Sequence, residues 1–163
     1  MRHRIVVVEC KPDKELARWV LEKINVRTKI YHRAHKGGKG MVLDLVRKIQ
    51  GILAIIDEDP GAPRHPLYRE LKLICSSRYL NVYRYTRHNN IILELRPRLG
   101  GWLFAIIKET RQRMAYARDE EFLHAKLSAK PIHIVEILEK VWNKSRILKE
   151  LIHHVKEHIA EEY

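Results

Sequence analysis

Cysteine is scarce in this 163-residue chain, with Cys10 and Cys75 the only two. Two thiols so far apart make neither a zinc-binding spacing nor a disulfide framework, and both are expected to fill small buried apolar positions. Long apolar runs are missing as well. No stretch approaches the roughly 18 residues of a membrane span, and the opening MRHRIVVVEC turns polar too soon for a signal peptide. These absences predict a cytoplasmic protein with no membrane partner. There is no internal repeat and no low-complexity linker, so one domain is expected. The GGKG run at 37–40 lacks the full P-loop pattern, and no nucleotide site of that kind is read from it.

Negative charge is also in deficit: 20 Asp and Glu stand against 32 Lys and Arg, a net of +12. The imbalance is uneven. From Pro131 onward there are five basic residues against six acids, which leaves +13 on residues 1–130. A basic domain of this kind points to a polyanionic partner, DNA or RNA. The competing reading is a merely soluble basic protein of thermophile-like composition, rich in charge and poor in Gln.

What the chain does contain is ordered around GILAIIDEDPG, residues 51–61. Ile52 to Ile56 form an unbroken apolar run, the signature of a strand buried on both faces of a parallel sheet. Asp57, Glu58 and Asp59 follow at its carboxyl end, where open α/β sheets form their ligand crevice. A strand period of two would aim Asp57 and Asp59 the same way, and two hard oxygen donors suit Mg²⁺ or Mn²⁺. Residues 4–9 read as a second buried strand ending in Glu9. Pro12 and Asp13, the latter as N-cap, then open a helix running to about Ile24. A short strand at 26–31, a basic loop at 32–40 and a helix at 41–50 complete a β-α-β-α-β order. Downstream, a short helix at about 67–74, strands at 80–86 and 91–95, and a helix from Trp102 to about Arg118 are expected. The tail from Pro131 reads as a helical hairpin, with Ser145 capping the second helix. Being nearly electroneutral, the hairpin is expected to pack on the domain or on another copy, the latter giving a homodimer. The chain thus divides into an α/β domain, residues 1–130, and a C-terminal helical extension, residues 131–163.

Glu9, Asp57 and Asp59 converge if their strands are neighbours, and such a cluster calls for a cation. The segments VECKPDKEL (8–16) and IIDEDPG (55–61) resemble the two motifs of Toprim domains. The first is an apolar strand ending in Glu before an acid-opened helix. The second is an apolar strand ending in D-x-D and followed by glycine. The resemblance spans about residues 4–95, with Cys10 standing where that family usually has glycine. It implies a Toprim-like, Rossmann-like, mainly parallel sheet flanked by helices. It also implies Glu9 as general acid/base, Asp57 and Asp59 as Mg²⁺ ligands, and phosphodiester chemistry on nucleic acid.

Lys11, Lys36, Lys39, Arg64 and His65 lie in loops expected at the same end of the sheet, where they could hold phosphates. Arg96 and Arg98 follow a strand and could join them. His154 and His158, four apart on a helix, lack a third ligand and read as a solvated face. The expectation is a small metal-dependent nuclease. The rival is a nucleic-acid-binding or regulatory module whose acids do not catalyse.

Overall fold

The structure, a computed structural model, describes residues 5–32, 38–115 and 117–159. In chain order its elements are β1 (Ile5–Val8), α1 (Lys11–Lys23), β2 (Lys29–Tyr31), α2 (Gly38–Lys48) and β3 (Ile52–Asp57). A 3-10 turn (Pro66–Glu70), β4 (Leu71–Ser76), β5 (Leu80–Tyr85) and β6 (Asn90–Leu95) follow. The chain continues as α3 (Leu99–Thr110), α4 (Glu120–Ala129), α5 (His133–Val141) and α6 (Arg146–His158). The six strands form one sheet in the order β2-β1-β3-β6-β5-β4. β2, β1, β3 and β6 run parallel, while β5 and β4 add an antiparallel flank. The result is a mostly parallel, Rossmann-like α/β fold.

The sheet is covered unequally. On one face, Val6, Val8, Leu53, Ile55 and Leu93 share a core with α1 and with all four helices from α3 to α6. On the other, Val7, Ala54, Ile56 and Ile92 meet Val42, Leu43 and Val46 of α2 and Leu67 of the 3-10 turn. β3 is buried at all five apolar positions because it carries helices on both faces. Two polar devices seat it. Gly51 adopts φ +82, which a side chain would strain, to turn out of α2. The fully buried Asn90 accepts from the Ile52 amide at 2.8 Å and donates to the carbonyls of Val46 and Ile49 at 2.8 and 2.7 Å.

Several local expectations are corrected. The 67–74 segment is not a helix but a 3-10 turn passing into β4, because its apolar residues pair with β5 at the sheet edge. The helix begun near Trp102 starts at Leu99 and stops at Thr110, where Arg111 turns left-handed at φ +55. Residues 120–129 form an unforeseen helix, α4, capped by Asp119. Asp13 is not the N-cap of α1: Cys10 occupies that place, and Asp13 turns inward from the first turn. Neither cysteine is buried, Cys10 lying at the helix entry and Cys75 on edge strand β4.

The hairpin of α5 and α6 turns its apolar stripes, including Ile134, Leu138, Leu148 and Leu151, into the common core. Trp19 Nε1 donates to Glu139 at 2.8 Å, joining α1 to α5. Ser145 caps α6 as expected: its Oγ accepts from the Leu148 amide at 3.0 Å and donates to Glu109 at 2.7 Å. Ser145→Ala removes a buried cap and a partly buried hydrogen bond together. It should lower unfolding free energy by about 1–2 kcal/mol in urea titrations; no change would mean the cap is energetically idle.

Candidate functional site

β1 and β3 are parallel neighbours, and their connections diverge. β1 leads through α1 to β2 on one flank, and β2 returns through α2 to β3 on the other. α1 and α2 pack on opposite faces, so the topological switch point falls between β1 and β3. Glu9 directly follows β1 and Asp57 ends β3. Their carboxylates therefore stand at the mouth of the crevice.

Three contacts fix the geometry there. Glu9 Oε2 accepts from the Asp57 amide at 3.3 Å. Asp57 Oδ1 accepts from the Leu99 amide at 2.9 Å, where the start of α3 favours negative charge. Asp13 is fully buried, its Oδ2 taking the Cys10 thiol at 2.9 Å while its Oδ1 has no hydrogen-bond partner. Asp59 lies beyond the strand at φ +49, so the period of two does not govern its direction. Its carboxylate sits 3.9 Å from Lys39 Nζ.

The electrostatics follow from this crowding. Burial, reinforced by the charge of Asp13, pushes Glu9 up to about 8, against the opposing bond from the Asp57 amide. Asp57 is raised too, first by burial and then by Asp13, Glu9 and Asp59. Asp13 is raised by burial, with Asp59 adding to it and the Cys10 bonds opposing it. Cys10 is exposed as a residue, yet its sulfur faces Asp13. Desolvation and that charge keep it a thiol, hence a donor rather than a nucleophile.

The remaining candidates separate. Lys39, in the first turn of α2, donates to the Glu58 carbonyl at 2.8 Å and joins the acids. Arg96 binds the Glu58 carboxylate at 2.9 Å and the Ser77 carbonyl at 2.7 Å, which pins the acidic loop. Arg64 lines a cleft of about 400 Å³ with Lys39, Glu58, Asp59 and Tyr68. His65 is structural: Nδ1 caps the 3-10 turn at Leu67, and Nε2 meets Asp44 at 3.1 Å. Arg98 caps α3 by its backbone and lies 3.8 Å from Glu120, beside a different cleft. Lys11 is exposed at the start of α1, and Lys36 lies outside the described residues.

Asp13 and Glu58 join the site although the strand pattern does not single them out. Asp13 carried a signal, since it stands on the same helical turn that follows Glu9. The donor set is all oxygen, and the unpartnered Oδ1 of Asp13 adds a buried acceptor; both suit a hard divalent cation. The acids are not gathered at a point. Among the described residues, the set whose ligand atoms all lie within 4.8 Å of one another is His153, His154 and Glu157 on α6. Its members meet within about one helical turn, Glu157 lying 3.5 Å from His153 and 3.8 Å from His154, and burial lowers the pKa of His154 and so favours its neutral form.

Compared with protein-family models, curated proteins and solved structures, the chain finds no match.

Proposed function

We propose that the protein is a Toprim-like, Mg²⁺- or Mn²⁺-dependent phosphodiesterase acting on DNA or RNA. One observation carries this reading: Glu9, Asp13 and Asp57 are buried beside one another at the switch-point crevice, and burial, reinforced by neighbouring carboxylate charge that includes Asp59, raises the pKa of all three. Asp57 and Asp59 would hold the cation, with Glu9 and Asp13 beside them. A hard cation there supplies charge to polarise a phosphate oxygen and acidify water. The chain's own residues do the rest. The Leu99 amide fixes the rotamer of Asp57. Lys39, held by the Glu58 carbonyl, places positive charge beside Asp59 for a phosphate. Burial holds the pKa of Glu9 near 8 in the metal-free site, and its carboxyl is placed to exchange a proton with a leaving oxygen. The +13 on residues 1–130 draws the polyanion in.

The test is cleavage of labelled single- and double-stranded DNA and RNA by the full chain. Cleavage with Mg²⁺ or Mn²⁺, abolished by EDTA, is the expected result. Salt-sensitive binding without cleavage of any substrate would replace the enzyme with a non-catalytic binding module.

A further inference from the structure

The cleft beside Asp59 is built on a buried polar network that the reaction above does not use. Glu94 is the penultimate residue of β6, 1 % exposed, in a strand that is otherwise apolar after Asn90. Its carboxylate accepts from Asn81 at 3.0 Å, from the Tyr68 hydroxyl, and from the Tyr83 hydroxyl at 3.4 Å. Such a group is costly to bury, and three donors offset that cost. The network continues outward. The Tyr83 oxygen, donating its proton to Glu94, accepts from Arg64 Nη2 at 3.3 Å. The Arg64 guanidinium lies 4.4 Å above the Tyr68 ring, and that ring meets Tyr83 edge-on at 5.7 Å.

Arg64 is thus held on two sides by neutral groups, and no carboxylate pairs with it among the described residues. The other cation of the cleft, Lys39, is turned to the Glu58 carbonyl and Asp59. A planar guanidinium with fixed orientation and unspent donors is what bidentate phosphate recognition needs. A buried acid that polarises the tyrosine hydroxyl strengthens its grip on the arginine.

We propose that Arg64 binds a backbone phosphate of the nucleic acid in this cleft, and that Glu94 and Tyr83 are positioning residues that hold its guanidinium ready. This rests on the nuclease reading only in taking the ligand to be a nucleic-acid strand. Glu94 itself touches no ligand.

The probe is a short 5′-phosphorylated oligothymidylate, bound to the full chain in EDTA, with inorganic phosphate as a second arm. Arg64→Ala should weaken oligonucleotide binding by about 10-fold or more, the scale of a charged hydrogen bond. Arg64→Lys should recover little of the loss, because the fork geometry is gone. Tyr83→Phe should weaken binding about 3-fold in the parent and not further in Arg64→Ala, since coupled residues are non-additive. Glu94→Gln should act in the same direction; should it fail to fold, the Tyr83 arm still decides. Inorganic phosphate competing in the parent but not in Arg64→Ala would assign the contact to the phosphate group. Unchanged binding by Arg64→Ala, or an equal Tyr83→Phe loss in both backgrounds, would overturn the proposal. Binding through Arg64 in EDTA, together with no cleavage once Mg²⁺ or Mn²⁺ is supplied, would sink the nuclease reading and leave this one standing.

Discussion

Glu9→Gln is expected to lower cleavage by about 100-fold or more, the usual scale for removing a general acid or base, while nucleic-acid affinity holds or rises. The substitution is conservative where the fold is concerned. Gln keeps an oxygen to accept the Asp57 amide, the one hydrogen bond Glu9 makes to its neighbour strand. What it removes is the titrating proton, and with it the negative charge that Glu9 gains when that proton leaves. Loss of cleavage together with loss of binding would mean that Glu9 shapes the site rather than moves a proton. Equal cleavage by parent and variant would expose a contaminating nuclease.

The second large effect concerns stability, pH and the cation together. The folded protein binds protons at Glu9 and Asp57 more tightly than the unfolded chain does, because both pKa values are raised on folding. Their contribution is fully present below the ordinary carboxylate pKa. It is lost as pH rises through the raised value, which for Glu9 is about 8. In EDTA the Tm should therefore fall from about pH 4 to about pH 9, through the raised values of about 8 for Glu9 and about 9 for Asp57. Mg²⁺ or Mn²⁺ at millimolar concentration should reverse the fall, and do so most strongly at the alkaline end, because a ligand that binds only the folded state stabilises it and the acids must shed protons to bind a cation. Asp57→Asn keeps an oxygen for the Leu99 amide but loses the charge. It should flatten the pH dependence, raise the Tm in EDTA, and abolish the cation effect. A Tm indifferent to both pH and cation in the parent would remove the electrostatic basis of the site.

The part of this arrangement that is legible in the sequence is what a single strand can encode. An apolar run ending in acids announces a buried parallel strand and places Asp57 at its carboxyl end; the run before Glu9 does the same. The period of two, however, holds only while the strand lasts. It ends at Asp57, so the direction of Asp59 was set by a left-handed turn that no apolar pattern announces. Asp13 looked like a cap because acids cluster in first turns. Only the packing of α1 against the crevice reveals it as a buried member of the cluster. LKLICS, residues 71–76, carries apolar residues that suit a helix or a strand, and the pairing with β5 decides between them. Glu94 left one mark, an acid interrupting the apolar run IILEL, whose meaning depends on Tyr68, Tyr83 and Asn81 arriving from elsewhere. α4 was hidden because it buries only Leu123 and Leu127.

The bond from Trp19 to Glu139 spans 120 residues of chain. During synthesis at about 5–20 residues per second, that separation corresponds to roughly 6–24 s. Through this interval α1 has emerged with Leu16, Trp19 and Val20 facing outward, and α5 and α6, which help enclose them, do not yet exist. The nascent chain can pair β1 with β3 early, but it cannot complete the larger of its two cores until α6 is made. The apolar stripe of α1 therefore lacks part of its cover until the last helix has been made.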